Sequence, residues 1–401
     1  MMVLLGNRGR KVNREAVLTD YSKKRLLTYA DSFKELAAGL SFTYREEEGD
    51  RQQVLEKRRL WEKQQVICKN MNEMSNILCG VAAEAFQLET IPDRKYRKVT
   101  QALHQERLCV TDMFFMQSKP SAKGMTERPV LAVRMYAAKA CGIRTDEVAD
   151  MLSVLLDHCF VPSATCPYMV DKEETYYFFV EEPVFMVMPG YARAIRENES
   201  VSGDNYALIE SVKGHLTVLL SDGMGSGEKA CKDSETVLDL MEKMLEAGYD
   251  VETAMSLVNS TLAVSENGYN MSTLDVCNID LYSGMCRFRK MGAAATFLKS
   301  NAYVEQIQVN SLPLGVFQSR DTETVTRELI ENDYIIMMTD GITDALAMAG
   351  SEELLSSYLA DLRETNPGEM AKKVLQLALM HGHGRVMDDM TVVVLGIFRV
   401  R

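Results

Sequence analysis

The chain has 401 residues, of which 25% are charged and 46% hydrophobic, a composition typical of a globular protein with two or three domains. Its net charge of −12 argues against a general nucleic-acid binder, because no basic surplus is available to neutralise phosphates. No apolar run approaches the ~18 residues of a membrane span, and the nine cysteines are scattered, as in proteins whose thiols stay reduced. We therefore expect a cytoplasmic protein with no membrane span in this chain.

Residues 1–90 are predicted to be a helical segment with a role in dimerisation or signalling. Helical spacing begins at Tyr21 and reaches Leu40, and a second, longer helix carries apolar residues at steps of three, four and seven. These residues form a seam: Leu60, Ile67, Met71, Met74, Leu78, Val81 and Ala85. Such a seam needs a partner, which is either a second copy of the chain in a coiled coil or another part of the same domain.

The rest of the chain is predicted to form two domains. Residues 91–182 have mixed helical and strand patterns, which indicate a small α+β domain. Residues 183–401 carry many strand patterns joined by hairpin-like turns, with helices at about 228–247, 251–264, 351–363 and 367–380. This alternation favours two antiparallel sheets packed face to face with helices outside.

Acidic residues stand at several predicted strand ends in the larger domain. Asp222 follows the apolar run from His215 to Leu220 and precedes Gly223, and Asp340 follows a second apolar run. Asp388 and Asp389 open the final strand, and Asp204 precedes another. A single Asp-Gly at a strand end is most often only a turn. Because strand ends converge at one edge of a sandwich, however, these carboxylates together predict an acidic cleft.

A cleft of this kind suits divalent cations. Carboxylates a few Å apart repel one another and raise each other's pKa, and a bound cation removes that conflict. Oxygen ligands without histidine or cysteine favour Mg²⁺ or Mn²⁺ over zinc. Two such ions, about 3.5–4 Å apart and bridged by a water, are suited to hydrolysing a phosphate ester.

Two alternatives to a two-metal hydrolytic site, a phosphate-binding loop after Asp222 and a covalent nucleophile, are less favoured. A phosphate-binding loop needs Gly-Lys-Ser/Thr, whereas Gly227 is followed by Glu228 and Lys229. No cysteine or serine lies in a recognisable nucleophile motif, so attack by water is preferred to a covalent intermediate.

Six motifs in one order resemble those of the PPM family of metal-dependent serine/threonine phosphatases, with the phosphatase domain of stage II sporulation protein E (SpoIIE) as the nearest likeness. They span residues 183–401, and the segment before them resembles that family's regulatory region more loosely. The motifs are Ser-Gly-Asp204, Ser-Asp222-Gly-Met-Gly-Ser-Gly, Ser272-Thr-Leu-Asp, Leu312-Pro-Leu-Gly315, Met-Thr-Asp340-Gly-Ile and Asp388-Asp-Met-Thr-Val-Val-Val.

The resemblance implies an αββα sandwich with two Mn²⁺ or Mg²⁺ ions and implies a role for each matching residue. Asp222, Asp340 and Asp388 are the implied catalytic metal ligands; Asp222 bridges the two ions, and the carbonyl of Gly223 binds one of them. Three further metal contacts are implied: Asp204, although eukaryotic members have a glutamate where this chain has Gly203; Asp389, where many relatives have asparagine; and Asp344, which resembles a ligand of an additional ion. No other cofactor is implied. His381, His383 and Arg385 lie near Asp388, and we assign them to a polar loop.

The resemblance also implies a substrate and a form of regulation. The implied substrate is a phosphoserine on a small anti-sigma-factor antagonist, in sporulation or another sigma-factor circuit. The paired helices after Asp222 resemble switch helices that the upstream region controls. Family members usually begin with a multi-span membrane region, which this sequence does not contain.

The favoured hypothesis is therefore a metal-dependent protein serine/threonine phosphatase. Its partners would be a phosphoprotein substrate and, through the N-terminal helices, a second copy of the chain. The alternatives are a catalytically silent scaffold with the same fold and a phosphatase that acts on a small molecule.

Overall fold

The computed structural model describes most of the chain and divides it into two compact units, Met1–Glu181 and Glu182–Arg401. The residues described are 26–35, 37–38, 51–84, 88–116, 128, 130–138, 142–163, 166–210, 214–246, 249–264, 271–316, 323–347, 352–382 and 384–400. The three-part division at 90 and 182 that the sequence suggests stays a prediction.

Among its described residues, the first unit contains a long helix, an earlier helical stretch, two shorter helices and a five-stranded sheet. In chain order its elements are α1 (Arg51–Glu84), β1 (Leu88–Thr90), α2 (Asp93–Gln105), β2 (Leu108–Met116), β3 (Val130–Ala137), α3 (Thr145–Leu156), β4 (Phe160–Pro162) and β5 (Thr175–Glu181). The strands pair antiparallel in the order β1-β2-β3-β5-β4. Apolar side chains of α2 and α3, such as Leu103 and Leu152, form one core with the sheet residues Leu131 and Phe179.

The long helix α1 packs against an earlier helical stretch, residues 26–35 and 37–38. The hydroxyl of Ser75 donates to the carbonyl of Ala30 at 2.6 Å, and the thiol of Cys68 donates to the carbonyl of Ala37 at 3.3 Å. Since the pairing order is reversed along the chain, the two helices run antiparallel. Small residues allow this close approach, and the face they occupy is adjacent to the predicted seam and distinct from it.

The described residues of the second unit form fifteen further elements. They are β6 (Phe185–Ala194), β7 (Asp204–Glu210), β8 (His215–Asp222), α4 (Gly227–Glu246), α5 (Val251–Val264), β9 (Leu274–Asp280), β10 (Met285–Met291), β11 (Thr296–Ser300), β12 (Tyr303–Ile307), β13 (Thr324–Glu328), β14 (Asp333–Met338), α6 (Asp340–Ala347), α7 (Glu352–Asp361), α8 (Pro367–His381) and β15 (Met390–Arg399). Two antiparallel five-stranded sheets result, with strand orders β13-β10-β9-β8-β7 and β12-β11-β14-β15-β6.

Three apolar cores hold this unit together as four layers. Val218 and Leu220 of β8 and Ile335 of β14 point into the core between the sheets. Leu219, between the two β8 residues, faces α4 and α5 instead, and Ile336 faces α6, α7 and α8. Such alternation is the period-two pattern of a strand buried on both faces. The predicted αββα sandwich is confirmed.

Several elements differ from the sequence prediction. The patterns at 184–188 and 191–195 are one strand, β6, because the chain stays extended through Pro189 and Gly190 along β15. The strands β12 and β13 and the helix α6 were not predicted. β12 and β13 are exposed edge strands without a strong apolar pattern, and α6 has only eight residues. Among the described residues, no helix combines the length and the apolar character that crossing a bilayer needs.

Candidate metal centre

Strand ends from both sheets meet at one edge of the sandwich. Asp204 begins β7 and lies directly opposite Asp222, which ends β8. Thr339 follows β14 in the other sheet, and its hydroxyl donates to Oδ2 of Asp204 at 2.9 Å. The same hydroxyl oxygen accepts the backbone N–H of Thr391 on β15 at 3.0 Å. Thr339 therefore joins the two sheets at the acidic edge.

Five carboxyl groups affect one another at this edge. Burial raises the pKa of Asp222 to about 9, and the charges of Asp204, Asp340 and Asp388 add to the effect. Burial also raises the pKa of Asp204 to about 6, while its hydrogen bonds oppose that rise. The pKa of Asp340 is raised by burial and then by the charges of Asp344 and Asp388. The cluster therefore gathers more carboxyl groups than can all be ionised at low cost in a partly buried site.

Protonation partly relieves this excess. The pKa of Asp222 is raised to about 9 by burial and by the charges of Asp204, Asp340 and Asp388, which favours a protonated Asp222 at neutral pH. In the described part of the chain no group of three or more His, Cys, Asp or Glu side chains is arranged to hold a metal ion.

The available oxygen atoms nevertheless fit a hard divalent cation. Oδ1 of Asp204 is buried and has no hydrogen-bond partner, which is costly for a carboxylate oxygen. Asp222 is half-buried and Asp344 is exposed. Asp340 is exposed as a residue, although its carboxyl group is partly desolvated where it faces the other acids. The cluster therefore opens towards solvent. Carboxylate oxygens at a solvent-accessible edge are the ligands that Mg²⁺ and Mn²⁺ prefer.

Gly223 is buried in a position that only glycine can occupy. A Cβ atom there would lie 2.0 Å from the carbonyl oxygen of Ala230 in the first turn of α4. Its N–H donates to the carbonyl of Gly203 at 3.2 Å, and it bridges to Ser272. The helix α4 therefore packs directly on the residue next to Asp222, which ties the position of this helix to the acidic edge.

The two neighbouring aspartates before β15 have different surroundings. Asp389 is buried, and its carboxylate accepts the backbone N–H groups of Arg196 at 2.9 Å and Gly203 at 2.7 Å. Both of its oxygens are thus used to hold the segment between β6 and β7. Asp388 is half-buried. Its Oδ1 accepts a hydrogen bond from the N–H of Asp389 at 2.9 Å, and within the described part of the chain its Oδ2 accepts none. This difference favours Asp388 over Asp389 as a metal ligand.

The structure also reveals contributors that the sequence analysis missed. Ser272 donates to the carbonyl of Asp222 at 2.7 Å, and Thr273 accepts the N–H of Asp222 at 3.1 Å. Both residues belong to a motif quoted above, yet their function as supports of Asp222 depends on strand pairing that the motif does not specify. Thr339 likewise precedes Asp340 in a quoted motif. His381 is half-buried at the end of α8, Arg385 is exposed, and His383 lies outside the described residues.

Comparison with known proteins shows what the second unit is similar to. Residues 213–398 match the family model of stage II sporulation protein E (SpoIIE). The stage II sporulation proteins E of Bacillus subtilis (strain 168) and Priestia megaterium are each 32% identical to this chain, over 251 and 211 residues. Residues 213–398 therefore form a PPM-type domain that is similar to that of SpoIIE. These matches cover 62% and 52% of this chain but 30% and 36% of the relatives, so the chain spans about a third of their length.

A solved SpoIIE structure supports the same assignment. The PP2C phosphatase domain with a fragment of the regulatory domain of SpoIIE from Bacillus subtilis aligns with a TM-score of 0.60 and 25% identity. The alignment covers 88% of this chain and all of that one. A more distant relative, the phosphoserine phosphatase RsbU of Bacillus subtilis (strain 168), is 21% identical over 202 residues, which are 49% of this chain and 60% of RsbU.

Proposed function

We propose that this chain is a metal-dependent protein serine/threonine phosphatase. The observation that carries the proposal is the meeting of Asp204, Asp222 and Asp340 at the edge where the two sheets of a SpoIIE-like domain are joined. Burial and the neighbouring acidic groups raise the pKa of all three, as expected of carboxylates gathered to hold a cation. Clustered buried charge of this kind destabilises a fold, and a scaffold has no use for it.

Each acidic residue has a proposed role. Asp222, the Gly223 carbonyl, Asp340 and Asp388 would hold two Mn²⁺ or Mg²⁺ ions, with Asp222 shared between the ions. Asp204 would hold Asp222 or an ion through its unpartnered Oδ1, and the exposed Asp344 would contribute to an additional ion. When bound, such ions lower the pKa of a shared water and balance the charge of the phosphoryl oxygens. The protein residues fix the ligand positions and leave the edge open to substrate.

The proposed substrate is a phosphoserine on a regulatory protein. The resemblance to SpoIIE and the 21% identity to a phosphoserine phosphatase, RsbU, support this choice. An open acidic edge also suits a protein substrate better than a small molecule, which is usually enclosed in a pocket. By the resemblance, the substrate would be a small anti-sigma-factor antagonist of a sigma-factor control circuit.

The test is phosphate release from a phosphorylated anti-sigma-factor antagonist with and without Mn²⁺. We expect Asp222→Asn and Asp340→Asn to lose at least about 100-fold in rate, because each removes a charge from the metal ligand set. Asp239→Asn is a matched control, since Asp239 lies on the outer part of α4. Equal rates for the three variants and the unmodified chain would contradict the metal centre. Hydrolysis of free phosphate esters without hydrolysis of the phosphoprotein would instead indicate a small-molecule phosphatase.

We further propose that the first half of the chain controls the metal centre through α4 and α5, and that it does so as a dimer. The contact of α4 with Gly223 supports the first part. The exposed seam residues Ile67, Met74 and Val81 support the second, because they recur every seven residues on α1 and none of them is buried. A fragment of residues 183–401 with the rate and Mn²⁺ response of the whole chain would contradict this control.

A further inference from the structure

A buried lysine and aspartate lie behind the acidic edge and are not used by the proposed function. Lys290 on β10 faces Asp275 on β9 directly across the strand pair. The Lys290 side chain is fully buried, and Asp275 is 1% exposed. Nζ of Lys290 donates to Oδ2 of Asp275 at 2.5 Å, to the carbonyl of Ala294 at 2.7 Å and to the hydroxyl of Thr296 at 2.7 Å. All three donors of the ammonium are therefore satisfied.

The aspartate of this pair is only half satisfied. The hydroxyl of Thr296 donates to Oδ2 of Asp275 at 2.6 Å, so Oδ2 accepts two strong hydrogen bonds. Oδ1 of Asp275 is buried and has no partner. A buried carboxylate oxygen left without a donor is destabilising, because it loses its hydrogen bonds to water and gains none from the protein. Lys290 and Thr296 thus hold Oδ2 of Asp275 in place, and Oδ1 is left available to accept a hydrogen bond.

A cavity lies beside Asp275. Its walls include Asp275, the metal-ligand candidates Asp222 and Asp340, and Thr339, together with the turn Gly292–Ala294. Its volume is about 10 Å³, which is room for about one water molecule. The turn requires a glycine, because Gly292 has a φ of +64° and a Cβ there would lie 2.8 Å from the ring of Pro313. The cavity is therefore a preformed space between Asp275 and the acidic edge.

Stability alone does not account for the pair. A buried ion pair is commonly no more stable than a well-packed apolar pair of the same volume, because desolvation offsets the attraction. An unpartnered oxygen adds a further cost. A function that uses Oδ1 explains why a charged pair occupies this position.

We propose that Asp275 is a positioning residue of the metal centre, which Lys290 and Thr296 hold in place while its Oδ1 binds one water molecule in the cavity. That water donates one hydrogen bond to Asp275 and the other to the carboxylate of Asp222 or Asp340, and thereby fixes the ligand's orientation. This inference rests on the proposed function, because it concerns the same acidic edge. Supports of this kind typically change metal affinity about 10–100-fold when removed.

The test replaces the pair in the whole chain. The double variant Asp275→Leu with Lys290→Met removes both charges together and so avoids an unpaired buried ion. We expect calorimetric Mn²⁺ affinity to fall by about 10–100-fold, while the melting temperature of the metal-free protein stays close to that of the unmodified chain. The matched control is Thr217→Val with Asn278→Leu. It removes another buried polar contact of β8 and β9, the 2.8 Å bond from Asn278 to Thr217, and should leave Mn²⁺ affinity unchanged.

The outcomes separate this inference from the proposed function. Equal Mn²⁺ affinity in the double variant and the unmodified chain would overturn the positioning role alone. Absence of Mn²⁺ binding by the unmodified chain would overturn both. If the double variant does not fold, a high-resolution structure of the unmodified chain with Mn²⁺ decides the question. A water between Oδ1 of Asp275 and a ligand carboxylate supports the inference, whereas an empty cavity or a metal ion on Oδ1 overturns it.

Discussion

Asp204 and Asp222 lie directly opposite each other at the end of the β7–β8 pair. Burial is the largest cause of the raised pKa of each carboxyl group, and the charge of Asp204 adds to the rise in the pKa of Asp222. The raised pKa values favour a proton on this pair of side chains. A divalent cation would replace that proton as the compensating charge.

This relationship predicts how the stability of the metal-free protein depends on pH. The folded-state pKa values, about 6 for Asp204 and about 9 for Asp222, lie above the ordinary value near 4. The stabilising proton is therefore fully bound below pH 4 and is lost as the pH rises through 6 and towards 9. We expect the melting temperature in EDTA to fall between pH 5 and pH 9. Asp222→Asn should flatten that fall, and a flat curve for the unmodified chain would contradict the prediction.

Mn²⁺ should restore the stability that the metal-free protein loses as the pH rises. At about 100 times its Kd, a ligand stabilises the folded state by about 2.7 kcal/mol. We expect the Mn²⁺-induced rise in melting temperature to be larger at pH 8 than at pH 5.5, since protons compete with the ion for the carboxylates. Thermal scans at both pH values measure this difference. An equal rise in Asp222→Asn would show that the ion binds elsewhere.

Removing the hydroxyl that joins the sheets should weaken both stability and metal binding. Thr339→Val keeps the side-chain volume but leaves Oδ2 of Asp204 without its donor at 2.9 Å and the N–H of Thr391 without its acceptor. We expect a loss of about 1–3 kcal/mol in the free energy of unfolding, measured in urea. Thr236→Val on the exposed part of α4 serves as control and should change it by less than about 0.5 kcal/mol. Similar values for the two variants would exclude the structural role of Thr339.

A methyl group at Gly223 should displace α4. The added Cβ would lie 2.0 Å from the carbonyl oxygen of Ala230, and a backbone atom can give way only if the helix moves. We expect Gly223→Ala to lose phosphatase activity and about 1–3 kcal/mol of stability. Gly80→Ala is the control, because nothing lies within 4 Å of a Cβ at that helical position. Full activity in Gly223→Ala would show that α4 and the acidic edge are independent.

The exposed seam of α1 predicts an effect on oligomeric state. Met74 is 41% exposed in the single chain, so Met74→Asp should fold normally but place a charge in any dimer interface built on the seam. We expect light scattering to show a dimer for the unmodified chain and a monomer for this variant. Asn76→Asp adds the same charge at an exposed position beside the seam. If it dissociates the protein equally, or if the unmodified chain is a monomer, the seam is not the interface.

The sequence was sufficient for the sandwich and for most acidic positions, because both depend on local patterns. Val218, Leu219 and Leu220 are apolar in succession, which indicates a strand buried on both faces, and Asp222 stands at its end. Short exposed strands such as β12 carry no comparable signal, since their pairing energy comes from a neighbour that is distant in the chain.

Contacts with neighbours that are distant in the chain were decided only by the tertiary structure. Asp388 and Asp389 are adjacent aspartates, and the sequence does not show which of them is free to bind a metal ion. The hydrogen bonds that Asp389 accepts from the N–H groups of Arg196 and Gly203 give it a structural role. Lys290 and Asp275 are fifteen positions apart, and strand pairing makes them an ion pair. The amino-acid sequence thus determined which residues carry charge at the strand ends. The packing of one sheet on the other determined which oxygen atoms are occupied and which remain available, because a hydrogen bond depends on the distance and direction between two groups.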